Sequence, residues 1–361
     1  MASSFNRNLK ISLFGESHGE AIGVTLDGIA PGIKLDLDFI NSELEKRKAK
    51  GSISTQRHEK DAFKIISGFY NGYTTGTPLT FIIENSDKDS SKYSGFDTTP
   101  RPSHADYSGT LKYFGFEDYR GGGHFSGRIT APIVIVGAVC KQILKSKGIV
   151  ISSHIKKLYN VLDDDVKAIE ELEKLNDEYF PVLNASKKEE MLLKIEEARL
   201  NCDSLGGIIE TYVNGISGGI GEPFFDSVES MISSLVFSVP AVKGISFGKG
   251  FEFANMLGSN ANDAFYYEDG LVKTKTNNNG GINGGITNGM PIIVNTVIKP
   301  TPSISKAQET VNLATQENTT LKVEGRHDPC IVHRARVVIE SMIAIALVEL
   351  HTCRYGYLWM K

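Results

Sequence analysis

Hydrophobic and polar positions change period several times along the chain, and these changes mark out its elements. Residues 9–14 (LKISLF) and 21–29 (AIGVTLDGI) alternate in the strand manner, with a glycine turn between them. Residues 36–50 (DLDFINSELEKRKAK) predict a helix with an acidic start and a basic end, as the helix dipole favours. Strands are predicted at 63–72 and 78–86, and a helix over about 129–147 (ITAPIVIVGAVCKQILKSK). Residues 160–203 are highly charged, with a surface helix across 187–200. Further on the pattern predicts a strand at 206–215, a helix at 225–239, strands and glycine turns over 242–299, and a strong helix over 333–350. Helices and short strands are interspersed without a regular βαβ beat, which predicts an α+β fold with largely antiparallel sheets. No repeat or linker divides the chain, so residues 1–361 read as a single domain carrying a charged elaboration at about 160–203.

Composition narrows the class. Hydrophobic residues make up 40% and charged residues 23%, ordinary for a globular protein, and the net charge of −4 carries no nucleic-acid footprint. The cysteines Cys140, Cys202, Cys330 and Cys353 form no CxxC pair, so neither a disulfide framework nor a metal is expected. No signal peptide is evident, and apolar runs such as APIVIVGAV are shorter than a bilayer span. A cytoplasmic protein without membrane or nucleic-acid partners is the expectation.

Glycine is enriched, at 36 residues, and clustered at 121–123, 218–221 and 280–285. Arginine is scarce beside lysine, so its placement is informative. Arg101, Arg120, Arg128, Arg326, Arg334 and Arg336 lie in or beside glycine- and histidine-bearing stretches, and Arg47 and Arg57 flank a short glycine turn. Guanidinium binds carboxylate or phosphate bidentately, which lysine cannot copy. His18, His58, His104, His124, His327 and His333 share these neighbourhoods. Each residue alone could be a surface ion pair; together they indicate a site for a multiply anionic ligand with proton-transfer groups.

Four stretches carry that chemistry. GESHG (15–19) matches G-x-S-x-G, the nucleophile elbow of serine hydrolases, but that motif needs a helix after the serine and AIGVTLDG is strand-like. Its alternative is a loop in which His18 works as an acid and Ser17 as a donor. RPSHADYS (101–108) places an acid two residues after His104, an arrangement able to fix a histidine. YRGGGHFSGRITAPIVIVGAV (119–139) sets glycines, a hydroxyl and an arginine before a long helix, which suits phosphate, yet it is neither a P-loop nor a dinucleotide fingerprint. In GRHDPCIVHRARVVIESM (325–342), Asp328 is either a helix N-cap or a group that tunes a proton acceptor.

Taken together, GESHGEAIGVTLDGIAPG, GGGHFSGRITAPIVIVGAV and GRHDPCIVHRARVVIESM resemble the three signatures of the chorismate synthase family. STQRHEKD, RPSHADY, GGIGEPFFDS, NNNGGINGGI and IKPTPSI extend the match over nearly the whole chain. The resemblance implies a β-α-β sandwich, with helices packed between antiparallel sheets, assembled as a homotetramer. It implies a lyase that converts 5-enolpyruvylshikimate 3-phosphate to chorismate and phosphate by 1,4-elimination, with reduced FMN required although there is no net redox change. A serine hydrolase using GESHG and a non-catalytic flavin-binding protein are the competing readings.

By the same resemblance, His18 protonates the reduced flavin, His104 aids phosphate loss, and Asp328 assists proton uptake at the flavin. Ser17 and Ser126 lie near flavin and substrate. Flavin contacts come from His124, Phe125, Ser126, Pro240, Ala241, Gly284, Lys299, Pro300, Thr301, Pro302, Ser303 and Arg326. Arg47, Arg101, Arg128 and Arg334 serve the anionic substrate. Arg47 also matches a position linked to NADP, making NADPH a candidate flavin reductant and an external flavin reductase the alternative partner. Two positions depart from the family: the turn KGSISTQR has no second arginine before Arg57, and Pro240 stands where asparagine is common.

Overall fold

The computed structural model describes residues 3–51, 53–54, 61–86, 95–323 and 327–361. The N-terminal alternation folds into an antiparallel sheet of β1 (Ser4–Asn6), β2 (Lys10–Gly15), β3 (Ala21–Asp27), β4 (Phe63–Ser67) and β5 (Leu79–Glu84), in the order β1-β2-β3-β5-β4. Its register pairs Ile22 with Ile83, Val24 with Phe81 and Leu26 with Leu79. All six are buried, so one face of the sheet is apolar, as a period of two demands.

A second antiparallel sheet contains β6 (Val150–Leu158), β7 (Val161–Leu162), β8 (Gly207–Asn214), β9 (Val242–Phe247) and β10 (Ile292–Ile298), in the order β9-β10-β8-β6-β7. The hydrophobic pattern does not predict strand β6, because polar residues occupy its buried centre. Two of those groups are satisfied laterally: Ser153 Oγ meets Thr211 Oγ1 at 2.9 Å, and His154 lies between Asp163 at 2.8 Å and Glu210 at 3.0 Å. Pairing of this kind removes the desolvation penalty that makes buried polar groups rare.

Among the described residues, six α-helices of eight residues or more accompany the sheets: α1 (Leu37–Arg47), α2 (Asp106–Tyr113), α3 (Thr130–Ser146), α4 (Ala185–Leu200), α5 (Val228–Val236) and α6 (Val332–Tyr355). Helix α3 packs on β3 and β5, α6 packs on β6, β8 and β10, and the two helices pack on each other. The result is the sheet–helix–sheet sandwich of the α+β expectation. Helix α2 lacks an apolar stripe, so periodicity does not predict it. Helix α5 stops short of residue 239, since Pro240 disfavours helical geometry just before it.

The helical segment Gly127–Ser146 is long and apolar enough to cross a membrane by length and composition, although its uninterrupted apolar run is shorter than a span. Its apolarity has another cause here: 78% of the window is buried inside the fold. A helix enclosed on all sides loses its polar face. Close approach to α6 occurs at Gly137, where a Cβ would sit 2.1 Å from the Ser341 Cβ, so only glycine fits.

Charge also enters this core. Lys141 of α3 bridges Glu43 of α1 and Glu340 of α6, each at 2.5 Å, and Lys46 reaches Glu43 at 2.6 Å. Burial pushes the Glu43 carboxyl up, but Lys141 and Lys46 outweigh it and hold its pKa at about 2. Arg336 pairs with Glu340 at 3.4 Å and is 1% exposed, so it belongs to this interior network and not to an anion site.

Candidate active site

A cavity of about 1870 Å³ opens between the first sheet, the central helices and the loops that carry the glycine and histidine motifs. Its wall brings together Arg47, Arg101, His104, His124, Phe125, Ser126, Arg128, Pro240, Ala241, Lys299, Thr301, Pro302, Ser303, Asp328 and Arg334. These residues come from segments far apart along the chain. Ile133 and Val136 of α3 and Val338, Met342 and Ile345 of α6 supply an apolar floor.

Three successive glycines connect the two candidate histidines. Gly121, Gly122 and Gly123 all have positive φ, at 61°, 83° and 53°. A Cβ at Gly121 would lie 1.9 Å from His18 Nδ1, and one at Gly122 would lie 3.4 Å from His104 Cε1. The turn therefore runs between the imidazoles, one packed against each of two neighbouring glycines. Gly123 completes the contact by accepting from the Ser17 amide at 3.1 Å. His18 is 4% exposed and Ser17 equally so; neither forms the cavity wall, and both lie behind this turn. The strand β3, not a helix, follows GESHG, so the nucleophile-elbow geometry is absent.

His104 is oriented by its own loop. Its Nδ1–H donates to Asp106 Oδ1 at 2.7 Å, which leaves Nε2 for chemistry at the cavity. Arg101 grips the same carboxylate with Nε at 2.8 Å and Nη2 at 2.7 Å, and its backbone amide adds a third bond at 3.0 Å. Burial would raise the Asp106 pKa, but the hydrogen bonds from Arg101 and His104 outweigh it and keep the carboxyl ionised far below its usual range. Much of Arg101 is thus spent on holding Asp106.

Arg47 and Arg128 converge on a residue to which the sequence pattern assigns no role. Asp61, whose side chain is wholly buried, accepts from Arg47 Nη2 at 2.9 Å and from Arg128 Nη1. Burial pushes its carboxyl up, and the two guanidinium charges bring it below the ordinary value. Arg128 Nε also donates to Asn85 Oδ1 at 3.2 Å, and Asn85 Nδ2 donates to the Glu16 and Gly19 carbonyls of GESHG at 3.0 and 3.1 Å. A single polar chain therefore ties α1, the start of α3 and the first glycine motif. Asp61 lies inside the family-like stretch STQRHEKD, but nothing local signals that it would meet two arginines 14 and 67 residues away.

Around the rest of the wall, Asp328 pairs with Arg334. Helix α6 begins after Ile331, so Asp328 is not its N-cap. His327 Nε2 donates to the Val323 carbonyl at 3.1 Å. His333 is buried away from the cavity wall; burial, then the Arg334 and Arg336 charges, push its pKa down to about 3. His124 Nδ1–H donates to the Gly15 carbonyl at 2.9 Å, so its Nε2 accepts from Ser3 Oγ at 2.8 Å. Ser126 caps the turn before α3 by accepting from the Arg128 amide at 3.3 Å. Lys299 donates to the Ser103 carbonyl at 2.7 Å, and burial together with the neighbouring Lys243 charge pushes its pKa down.

Pro300 does not reach the wall. Gly284 lies at the tip of a hairpin formed by Ile282–Asn283 and Ile286–Thr287, outside the cavity. Arg326, Arg57 and His58 lie outside the described residues. Three buried polar atoms on wall residues, Thr301 Oγ1, Arg47 Nε and Arg334 Nε, have no partner among the described residues. Such atoms are costly to leave unbonded and suit an anionic or polar ligand. The arrangement as a whole can bind several negative charges, exclude water over an apolar floor and present an oriented imidazole.

Residues 9–352 match the family model described as chorismate synthase. The chain is 46% identical over 341 residues to a chorismate synthase of Thermococcus kodakarensis, covering 94% of this chain and 95% of the relative. A chorismate synthase of Pyrococcus abyssi is 46% identical over 343 residues, covering 95% and 96%, and one of Methanobrevibacter smithii 42% over 362 residues, covering 99% and 98%. A crystal structure of chorismate synthase superposes with a TM-score of 0.77 at 30% identity, covering 97% of this chain and 93% of the other.

Proposed function

The chain belongs to the chorismate synthase family, and from that premise we propose that its cavity converts 5-enolpyruvylshikimate 3-phosphate to chorismate and phosphate, the last step of the shikimate pathway. The reaction is a carbon–oxygen lyase step. A C–O bond to phosphate breaks, and a ring proton departs from the far end of the same conjugated system. The observation that carries this reading is His104, clamped by Asp106 on a wall that also bears Arg47, Arg128, Arg334, Lys243 and Lys299. A substrate with one phosphate and two carboxylates needs that density of cations.

In this reading His104 Nε2 gives a proton or hydrogen bond to the departing phosphate. That step needs the imidazolium, in which Nε2 carries a proton while Nδ1–H stays on Asp106, whose carboxylate orients the ring and faces its positive charge. Reduced FMN, when bound, supplies reversible electron transfer that leaves no net redox change. The wall fits such a group: the Thr301 hydroxyl is buried without a partner among the described residues, beside Lys299 and Ser303, and the floor is apolar. Phe125, Ser126, Pro240, Ala241, Lys299, Thr301, Pro302 and Ser303 would hold it. His18 and Asp328 would hold or move a proton for it, with Ser17 as a supporting donor. The homotetramer and a cytoplasmic location belong to the same proposal.

An anaerobic assay with the enolpyruvyl phosphate substrate and chemically reduced FMN tests it. Release of chorismate and phosphate in equal amounts is expected, and their absence would overturn the proposal. Oxidation of NADPH under air with FMN separates an intrinsic flavin reductase from a dependence on an external one.

A further inference from the structure

One side chain of the charged elaboration at 160–203, Tyr179, reaches the turn beside the site. Tyr179 Oη accepts from the Lys50 amide at 2.8 Å and donates to the Lys48 carbonyl at 3.2 Å. It also lies 3.0 Å from Ser54 Oγ and 3.1 Å from His333 Nε2. Ser54 and His333 themselves meet at 3.0 Å. His333 Nδ1 has no partner among the described residues, and an orphaned N–H costs more than an orphaned lone pair, so the proton belongs on Nε2. His333 then donates into the Ser54–Tyr179 pair. One hydroxyl thus gathers the turn after α1 and the first turn of α6.

The flanking residues tighten the same joint. Arg336 donates to the Asn176 and Glu178 carbonyls at 3.2 and 3.1 Å, and Lys46 pairs with Asp177 at 3.3 Å. The Tyr179 ring packs edge-on against His333, centroids 4.9 Å apart. What this joint holds is functional wall: Arg47, Lys48 and Lys50 on one side, Asp328 and Arg334 on the other, all bordering the cavity.

We propose that Tyr179 is a positioning residue that sets the Arg47–Gly51 turn against the start of the C-terminal helix, and so fixes the cationic wall for the anionic substrate. The role of this wall rests on the function proposed above; the brace itself does not. A backbone turn carrying lysines loses conformational freedom only when something outside it satisfies its amide and carbonyl. Tyr179 does both with one hydroxyl. The residue touches no reacting atom in this scheme, so its loss weakens substrate binding more than turnover.

The test is Tyr179→Phe in the full-length protein, with Ser54→Ala as a milder variant. The phenyl ring keeps the His333 contact, so the fold survives. Amide hydrogen exchange over residues 48–51 is expected to accelerate roughly tenfold, while α3 and α6 keep their protection. KM for the enolpyruvyl phosphate substrate is expected to rise roughly tenfold with kcat within about twofold. Unchanged exchange at 48–51 overturns the brace; faster exchange with unchanged KM overturns its part in substrate binding. A wild-type protein that makes no chorismate defeats the proposed function instead, and the exchange result still judges the brace.

Discussion

Asp106 and His104 form a hydrogen bond of 2.7 Å in which the carboxylate, itself held by Arg101, fixes the orientation of the imidazole. The two residues sit two positions apart, His104 in the loop and Asp106 at the start of α2, so the bond is local. Replacing Asp106 with Asn keeps the shape but removes the negative charge that faces the imidazolium needed to donate from Nε2. Steady-state kinetics of Asp106→Asn should show kcat lower by roughly 10²- to 10⁴-fold with KM nearly unchanged. A rise in KM alone would mean that His104 binds substrate without transferring a proton.

The glycine turn between the two histidines makes a second prediction. A methyl group at residue 121 meets the His18 ring at 1.9 Å and also requires a positive φ of 61°. Gly121→Ala should therefore displace His18 and destabilise the protein by at least about 1–2 kcal/mol. Thermal unfolding and chorismate formation measured side by side check this. Wild-type activity in the variant would show that His18 need not stand where it does.

Asp61 is a carboxylate shared by two buried guanidiniums, and its removal takes away the negative charge between them. Asp61→Asn should lower stability by roughly 3–5 kcal/mol, the range for breaking a buried ion pair. Inorganic phosphate should then raise the melting temperature of the variant more than that of the wild type, because a free anion in the cavity can supply the negative charge that Arg47 and Arg128 have lost. Calorimetry across a phosphate series decides the point, and parallel shifts in both proteins would count against it.

The Glu43–Lys141–Glu340 network predicts acid sensitivity. Glu43 is held down to about 2 in the fold against an ordinary value of 4.5, so its contribution is full above pH 4.5. That contribution shrinks as pH falls below 4.5 and is gone once pH passes below about 2. Urea unfolding of wild type and Glu43→Gln should therefore give midpoints that differ at about pH 6 and converge toward about pH 2.5. A gap that stays constant over that range would assign the effect to packing and not to charge.

Much of this molecule is legible in its sequence, and the part that is not has a definite cause. Hydrophobic period reports how each segment is buried, so it locates α3, α6, β3 and β5 and the α+β class. Spacing within one loop also reports geometry, so the two-residue interval alone links His104 to Asp106. The motifs name the family because they are long and ordered along the chain. Strand β6 is hidden because its buried residues are polar and take partners from other strands. The meeting of Asp61 with Arg47 and Arg128, the passage of Gly121 between histidines and the hold of Tyr179 on Lys48 and Lys50 are hidden for the same reason. Each is a contact between segments distant in sequence, and its strength depends on a mutual distance and burial that only the folded chain sets. Arg336 shows the converse: local pattern marks it for an anion site, and packing encloses it with Glu340 in the core.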